Sequence, residues 1–130
     1  MVISMNKEDT TGINSINNSE LRLMELIWES EPVNSGRLVT LANEAYGWKK
    51  STVYTIVKKL LQKGVVESEN AVIRSTVDRA RVLSEKSETV IEKSYNGSLP
   101  MFLSAFLSKE KLTAAEAEEL KRLIDSYTEE

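Results

Sequence analysis

The chain has 130 residues, 41% of them hydrophobic and 28% charged, and a formal net charge of −3. That length fits one ordinary domain, or a small domain joined to an oligomerisation element. Cysteine and histidine are both absent, which excludes disulfides, thiolate metal sites, cysteine nucleophiles and the commonest general base; no enzyme, metal or cofactor is expected.

No apolar run approaches the length of a membrane span. The opening MVISMNKEDTTGINS lacks the apolar core of a secretory signal. Residues 1–15 read as a flexible polar tail, and the expected location is cytoplasmic.

The first helix is predicted over 18–30. Asn17 and Glu20 have the spacing of a capping box, and Ile16 and Leu21 sit at the positions of a hydrophobic staple. Leu21, Met24, Ile27 and Trp28 share one face, Leu23 and Leu26 widen it, and Pro32 marks the exit. Asn34 can cap a second helix over 35–45, with Leu38, Val39, Leu41 and Ala42 apolar and Gly47 as the stop. A third helix runs from Lys50 to Lys63 and closes at Gly64. Its apolar residues Val53, Ile56, Val57, Leu60 and Leu61 recur at helical spacing.

The period then changes. VVESENAVIRSTVD is rich in β-branched residues and breaks at Glu69-Asn70, which predicts a hairpin of strands at 65–68 and 72–77. Three short helices followed by a two-stranded ribbon outline a winged helix-turn-helix over 16–77.

Residues 78–130 return to helix. Asp78 and Ser98 are candidate caps, and Pro100 is tolerable in a first turn. Thr113 and Glu116 form a second capping box, followed by Ala117, Leu120, Ile124 and Tyr127 on one side. Three helices of this size cannot bury their own apolar stripes, and a second copy related by a twofold axis is the simple remedy. The expected dimer interface is Val90, Ile91, Tyr95, Leu99, Phe102, Leu103, Phe106, Leu120 and Ile124. The fold class is thus mainly α with a small β-hairpin: a winged helix-turn-helix head and a three-helix dimerisation arm.

The third helix carries the functional signal. WKKSTVYTIVKKLLQKG, residues 48–64, holds five lysines and no acid within an acidic chain. A lysine-rich face alone is more often solvated surface than a nucleic-acid site. Three features reverse that judgement: no glutamate is spaced to pair with the lysines, hydroxyls and a tyrosine lie between them, and the helix occupies the recognition position of its fold. Lys50, Ser51, Tyr54 and Thr55 are the candidates for groove and base contacts, Lys49, Lys58 and Lys59 for phosphates, and Thr52 for either. Lys63 is the weakest of the lysines. Trp28 and Trp48 read as core residues.

These residues resemble the penicillinase-repressor family. The similarity spans Ile16 to the C-terminus and rests on an ordered set: Glu20, Met24, Trp28, Pro32 and Trp48 at the family's spacing, then TVYTIVKKLLQKG, then NGSL with Phe102 and Phe106, then KLT with Glu116 and EELK. The resemblance implies a homodimeric repressor on a palindromic operator, with an interlocked helical dimer domain and a regulatory protease or sensor as a further partner. It carries recognition-helix contacts onto Lys50 to Lys59, with Thr52 and Thr55 the closest matches. It also implies cleavage just before Phe106, although Ala105 stands where the family has asparagine.

The chain departs from the family in three places. Lys49-Lys50 replace a Ser-Pro helix start. The wing is shorter and carries Glu67 and Glu69 at its tip, leaving Arg74 as its one cation and one further DNA candidate. The cysteine cluster of copper-sensing members is missing, so copper sensing is excluded. The acidic wing also favours an alternative, a winged-helix protein-interaction adaptor that does not bind DNA.

Overall fold

The structure, a computed structural model, describes residues 12–128. The chain divides into two compact units after Val90, rather than after residue 77 as the sequence suggests; we call them the head and the arm.

In the head, α1 (Asn18–Ser30) starts where the capping box places it. The Glu20 backbone N–H donates to Asn17 Oδ1 at 2.9 Å, and the Asn17 N–H donates to Glu20 Oε1 at 3.1 Å. α2 (Ser35–Tyr46) begins with Asn34 accepting from the Gly36 N–H and ends at Gly47, whose φ of 70° is the left-handed geometry that glycine adopts without cost. α3 (Lys50–Gln62) follows after three residues, and Gly64 closes its end at φ 73°.

Two strands, β2 (Val66–Glu69) and β3 (Val72–Ser75), form the hairpin, joined at Asn70-Ala71 with both φ values positive. That is a two-residue turn of the type whose twist matches paired strands. A strand not expected from the sequence, β1 (Val33–Asn34), pairs antiparallel with β3, giving the order β1-β3-β2 among the described residues. Glu31 reinforces this edge: its carboxylate accepts from the Ser75 N–H at 3.2 Å and from the Ser75 hydroxyl at 2.8–2.9 Å.

The three helices and the sheet close over one core. Leu23, Met24, Ile27, Leu38, Ala42, Leu60 and Val65 have no exposed surface, and Val53 and Ile73 have almost none. Trp28 and Trp48 pack against this cluster; the Trp28 Nε1–H donates to the Val77 carbonyl at 3.0 Å. Both tryptophans are therefore structural.

The first part of α4 (Arg79–Ser94) belongs to the head, capped by Asp78, whose Oδ1 accepts from the Arg81 N–H at 2.7 Å. Val82 is fully buried, and Arg79 pairs with Glu25 at 2.9 Å.

The expected tail needs correction at its end, while residues 1–11 lie outside the described residues. Residues 12–15 are not free polar chain: Ile13–Ser15 form a 3-10 turn with Ile13 fully buried. The Gly12 N–H donates to the Lys63 carbonyl at 2.6 Å. A Cβ at position 12 would lie 2.6 Å from Lys63 Cβ, so the approach needs a glycine.

In the arm, α5 (Leu99–Leu107) is capped by Ser98 with Pro100 in its first turn, and α6 (Ala114–Tyr127) opens with the Thr113–Glu116 capping box. The two hydrogen bonds of that box, backbone first, hold the Glu116 carboxyl below its ordinary value. Neither helix buries a residue. Among the described residues no helix is long and apolar enough to cross a membrane.

Candidate nucleic-acid interface

α3 is built from two opposed faces. Val53, Ile56, Val57 and Leu60 point into the core and fix the helix on α1 and α2. Lys49, Lys50, Ser51, Thr52, Tyr54, Thr55, Lys58 and Lys59 are all exposed. The core contacts thus leave this polar face outward as one continuous surface.

The electrostatics of that surface are one-sided. Among the described residues, no carboxylate pairs with Lys49, Lys50, Lys58 or Lys59. The Lys50 ammonium lies 5.6 Å from the centroid of the Tyr54 ring, an exposed cation–π pair one helical turn apart that sets both side chains on the same ridge. Thr55 donates its hydroxyl to the Ser51 carbonyl at 2.9 Å, leaving its oxygen able only to accept. Lys49 occupies the helix N-cap without a side-chain cap bond, as expected where lysines replace a serine and a proline.

Lys63 is diverted elsewhere. Its ammonium donates to both Glu20 oxygens at 2.7 Å and to the Ser15 carbonyl at 2.7 Å. Glu20 is buried, only 1% exposed, so the carboxylate that caps α1 is also neutralised by the end of α3. Removing Lys63 would strand the Glu20 charge in the core. Lys63, the weakest of the lysine candidates in the sequence, thus has its ammonium occupied within the head.

The hairpin offers little to a polyanion. Glu67 and Glu69 are exposed near its tip, and Arg74 stands directly opposite Glu67 in the strand register. Directly opposed residues share a face, so Arg74 shows its charge beside an acid.

One feature of the site has no local sequence signal. An open groove of about 370 Å³ separates the start of α1 from one flank of α3, lined by Asn17, Ser19, Glu20, Ser51, Thr52, Thr55, Ile56 and Lys59. The capping box marks where α1 begins but not what it faces, because the α1–α3 packing is long-range.

In the arm, Val90's neighbour Ile91 is buried, whereas Tyr95, Leu99, Phe102, Leu103 and Leu120 are half-buried. Val90 itself, at the end of the head, is exposed, as are Phe106 and Ile124, each at about half of its surface. Phe102 bridges Tyr95 edge-on at 5.4 Å and Phe106 stacked at 6.4 Å. Met101, Leu107, Leu123 and Tyr127 extend the exposed apolar surface. No described group of histidine, cysteine, aspartate and glutamate is placed to hold a metal ion.

Residues 16–126 match the family model described as penicillinase repressor. The chain is 24% identical over 119 residues to a penicillinase repressor of Bacillus licheniformis, covering 88% of this chain and 93% of that protein. It is also 24% identical over 114 residues to the methicillin resistance regulatory protein MecI of Mammaliicoccus sciuri, covering 85% and 93%. A penicillinase repressor of Staphylococcus aureus is 22% identical over 117 residues.

Proposed function

The chain belongs to the penicillinase repressor family, whose members are regulators and not enzymes, and on that premise we propose that it represses transcription by occupying a palindromic operator as a homodimer, with α3 in the major groove. The observation that carries this reading is the outward face of α3: exposed lysines without an acid partner, interleaved with hydroxyls, on the third helix of a winged helix-turn-helix. Lys50, Ser51, Tyr54 and Thr55 contact the groove, and Lys49, Lys58 and Lys59 hold phosphates. Arg74, set beside Glu67, contributes least.

Dimerisation supplies the second α3. The uncovered apolar surface of α5 and α6 supports it, since exposed Phe106, Leu123 and Ile124 on small helices call for a partner surface. A palindromic site then matches the twofold axis.

The test is a mobility-shift and anisotropy titration on duplex DNA from upstream of the protein's own gene. Three lysine–phosphate contacts per protomer release counterions in proportion, so log affinity should fall against log salt with a slope of about −5. Lys58→Ala should weaken binding across sequences and reduce that slope by about 2 for the dimer. Tyr54→Ala should relax sequence preference more than it changes the slope. An absent shift at low salt, with function intact in Lys50→Ala and Lys58→Ala, would instead identify a protein-binding adaptor.

A further inference from the structure

An α-helix lying in the major groove has a sugar–phosphate strand along each flank. On α3 the outermost ridge is Ser51, Thr55 and Lys58. Lys50 and Tyr54 form one flank, and Thr52 and Lys59 form the other. The second flank faces the open groove whose far wall is the start of α1. Ser19, Ser51, Thr52 and Lys59 meet there, and among the described residues none of their side chains has a hydrogen-bond or ion-pair partner.

The geometry points to a phosphodiester of the operator backbone as the occupant of this groove, which makes the start of α1 a DNA-contacting element beside α3. Lys59 supplies the positive charge, and the hydroxyls of Thr52 and Ser19 donate to the non-bridging oxygens from opposite walls. The inference rests on the DNA-binding reading above. Its partner is a phosphate within a chain rather than a free anion for two reasons. The groove is continuous with the face of α3 through Ser51 and Thr55, and it is open to solvent rather than enclosed, as a strand lying along it requires.

The groove also has an acid in its lining, and the structure accounts for it. Glu20 reaches the groove but is bridged through both oxygens by the Lys63 ammonium. A neutralised carboxylate does not repel a phosphate; an unpaired one would. Lys63 thus serves DNA binding without touching DNA.

The test uses the full chain and an upstream duplex that it binds, with single methylphosphonate linkages moved along each strand to neutralise one phosphate at a time. For the wild type, one linkage per half-site beside the bases under α3 should weaken binding about five- to tenfold. Thr52→Val and Ser19→Ala should each weaken the native duplex by a similar factor. Each should also reduce the penalty at that linkage, where Lys59 and the remaining hydroxyl still act, while preserving it in full elsewhere, the signature of a direct pair. Ser19→Asp adds a folding control. An acid in the first turn of a helix favours the fold, so its melting temperature should hold or rise while affinity falls at least about tenfold. If the wild type binds and the methylphosphonate pattern is the same in Thr52→Val, or Ser19→Asp binds as tightly as wild type, the groove assignment is overturned and the DNA reading stands. If the wild type forms no complex at low salt, both are overturned.

Discussion

The two compact units of this protein treat their apolar residues in opposite ways. In the head, Leu23, Met24, Ile27, Leu38 and Leu60 vanish from the surface, and the buried acid of that unit has its ammonium partner. In the arm, α5 and α6 have comparable helix-forming sequences, sound caps and a Pro100 in its tolerated place, yet neither buries a residue. Local signals decide that a helix forms; burial decides whether it stands alone. The head satisfies both conditions within one chain, and the arm satisfies the first only.

The contrast can be broken most directly in the core. Leu23→Ala should cost about 3 kcal/mol of head stability by denaturant titration, because the site has no solvent to fill the cavity; a loss below about 1 kcal/mol would mean the head is looser than its packing implies. Lys63→Met should follow, at about 2–3 kcal/mol, since it leaves Glu20 buried and unpaired. Pairing it with Glu20→Gln should recover part of that loss, and a double variant no better than the single one would dissociate the two residues. Ile124→Ala tests the other side. It should leave head unfolding within about 0.5 kcal/mol of wild type while raising the dimer dissociation constant in sedimentation equilibrium. Loss of head stability instead would erase the distinction between the units.

The smallest effect is acid sensitivity in the arm. The folded Glu116 carboxyl titrates below its ordinary value because Thr113 bonds the charged form. The stabilisation is therefore complete above the unfolded value and is lost as pH falls through the folded one. Helical circular dichroism of the arm should decline in that acid window, and Glu116→Gln should remove the pH-dependent part.

Much of this architecture is readable from spacing. Asn17 and Glu20, Asn34 and Gly47, Ser98, and Thr113 and Glu116 mark helix ends through contacts four residues away or fewer, and the structure places the ends there. The outward lysines of α3 are equally legible, because an inward face of Val53, Ile56, Val57 and Leu60 leaves them nowhere else to go. What escapes is set by partners distant in sequence. β1 is two residues long, too short to show a period, and exists because β3 accepts it. Ile13 is a single apolar residue among polar ones, and its burial depends on a turn held by Lys63, far along the chain. The groove beside Thr52 likewise needs α1 and α3 to be packed before it exists.

The short hairpin has a kinetic consequence. Its exposed Glu67 and Glu69 share one unit with the exposed lysines of α3. A duplex drifting towards the hairpin meets repulsion, and one drifting towards α3 meets attraction. On the proposed DNA-binding function, opposite charges on one small body would act as a torque in the field of DNA, turning α3 forward before contact and shortening the search for a productive encounter. Glu67→Gln should then raise the affinity for nonspecific duplex more than it changes the dissociation rate from the operator. The acids of the wing, which hold no partner among the described residues, would set the angle of arrival.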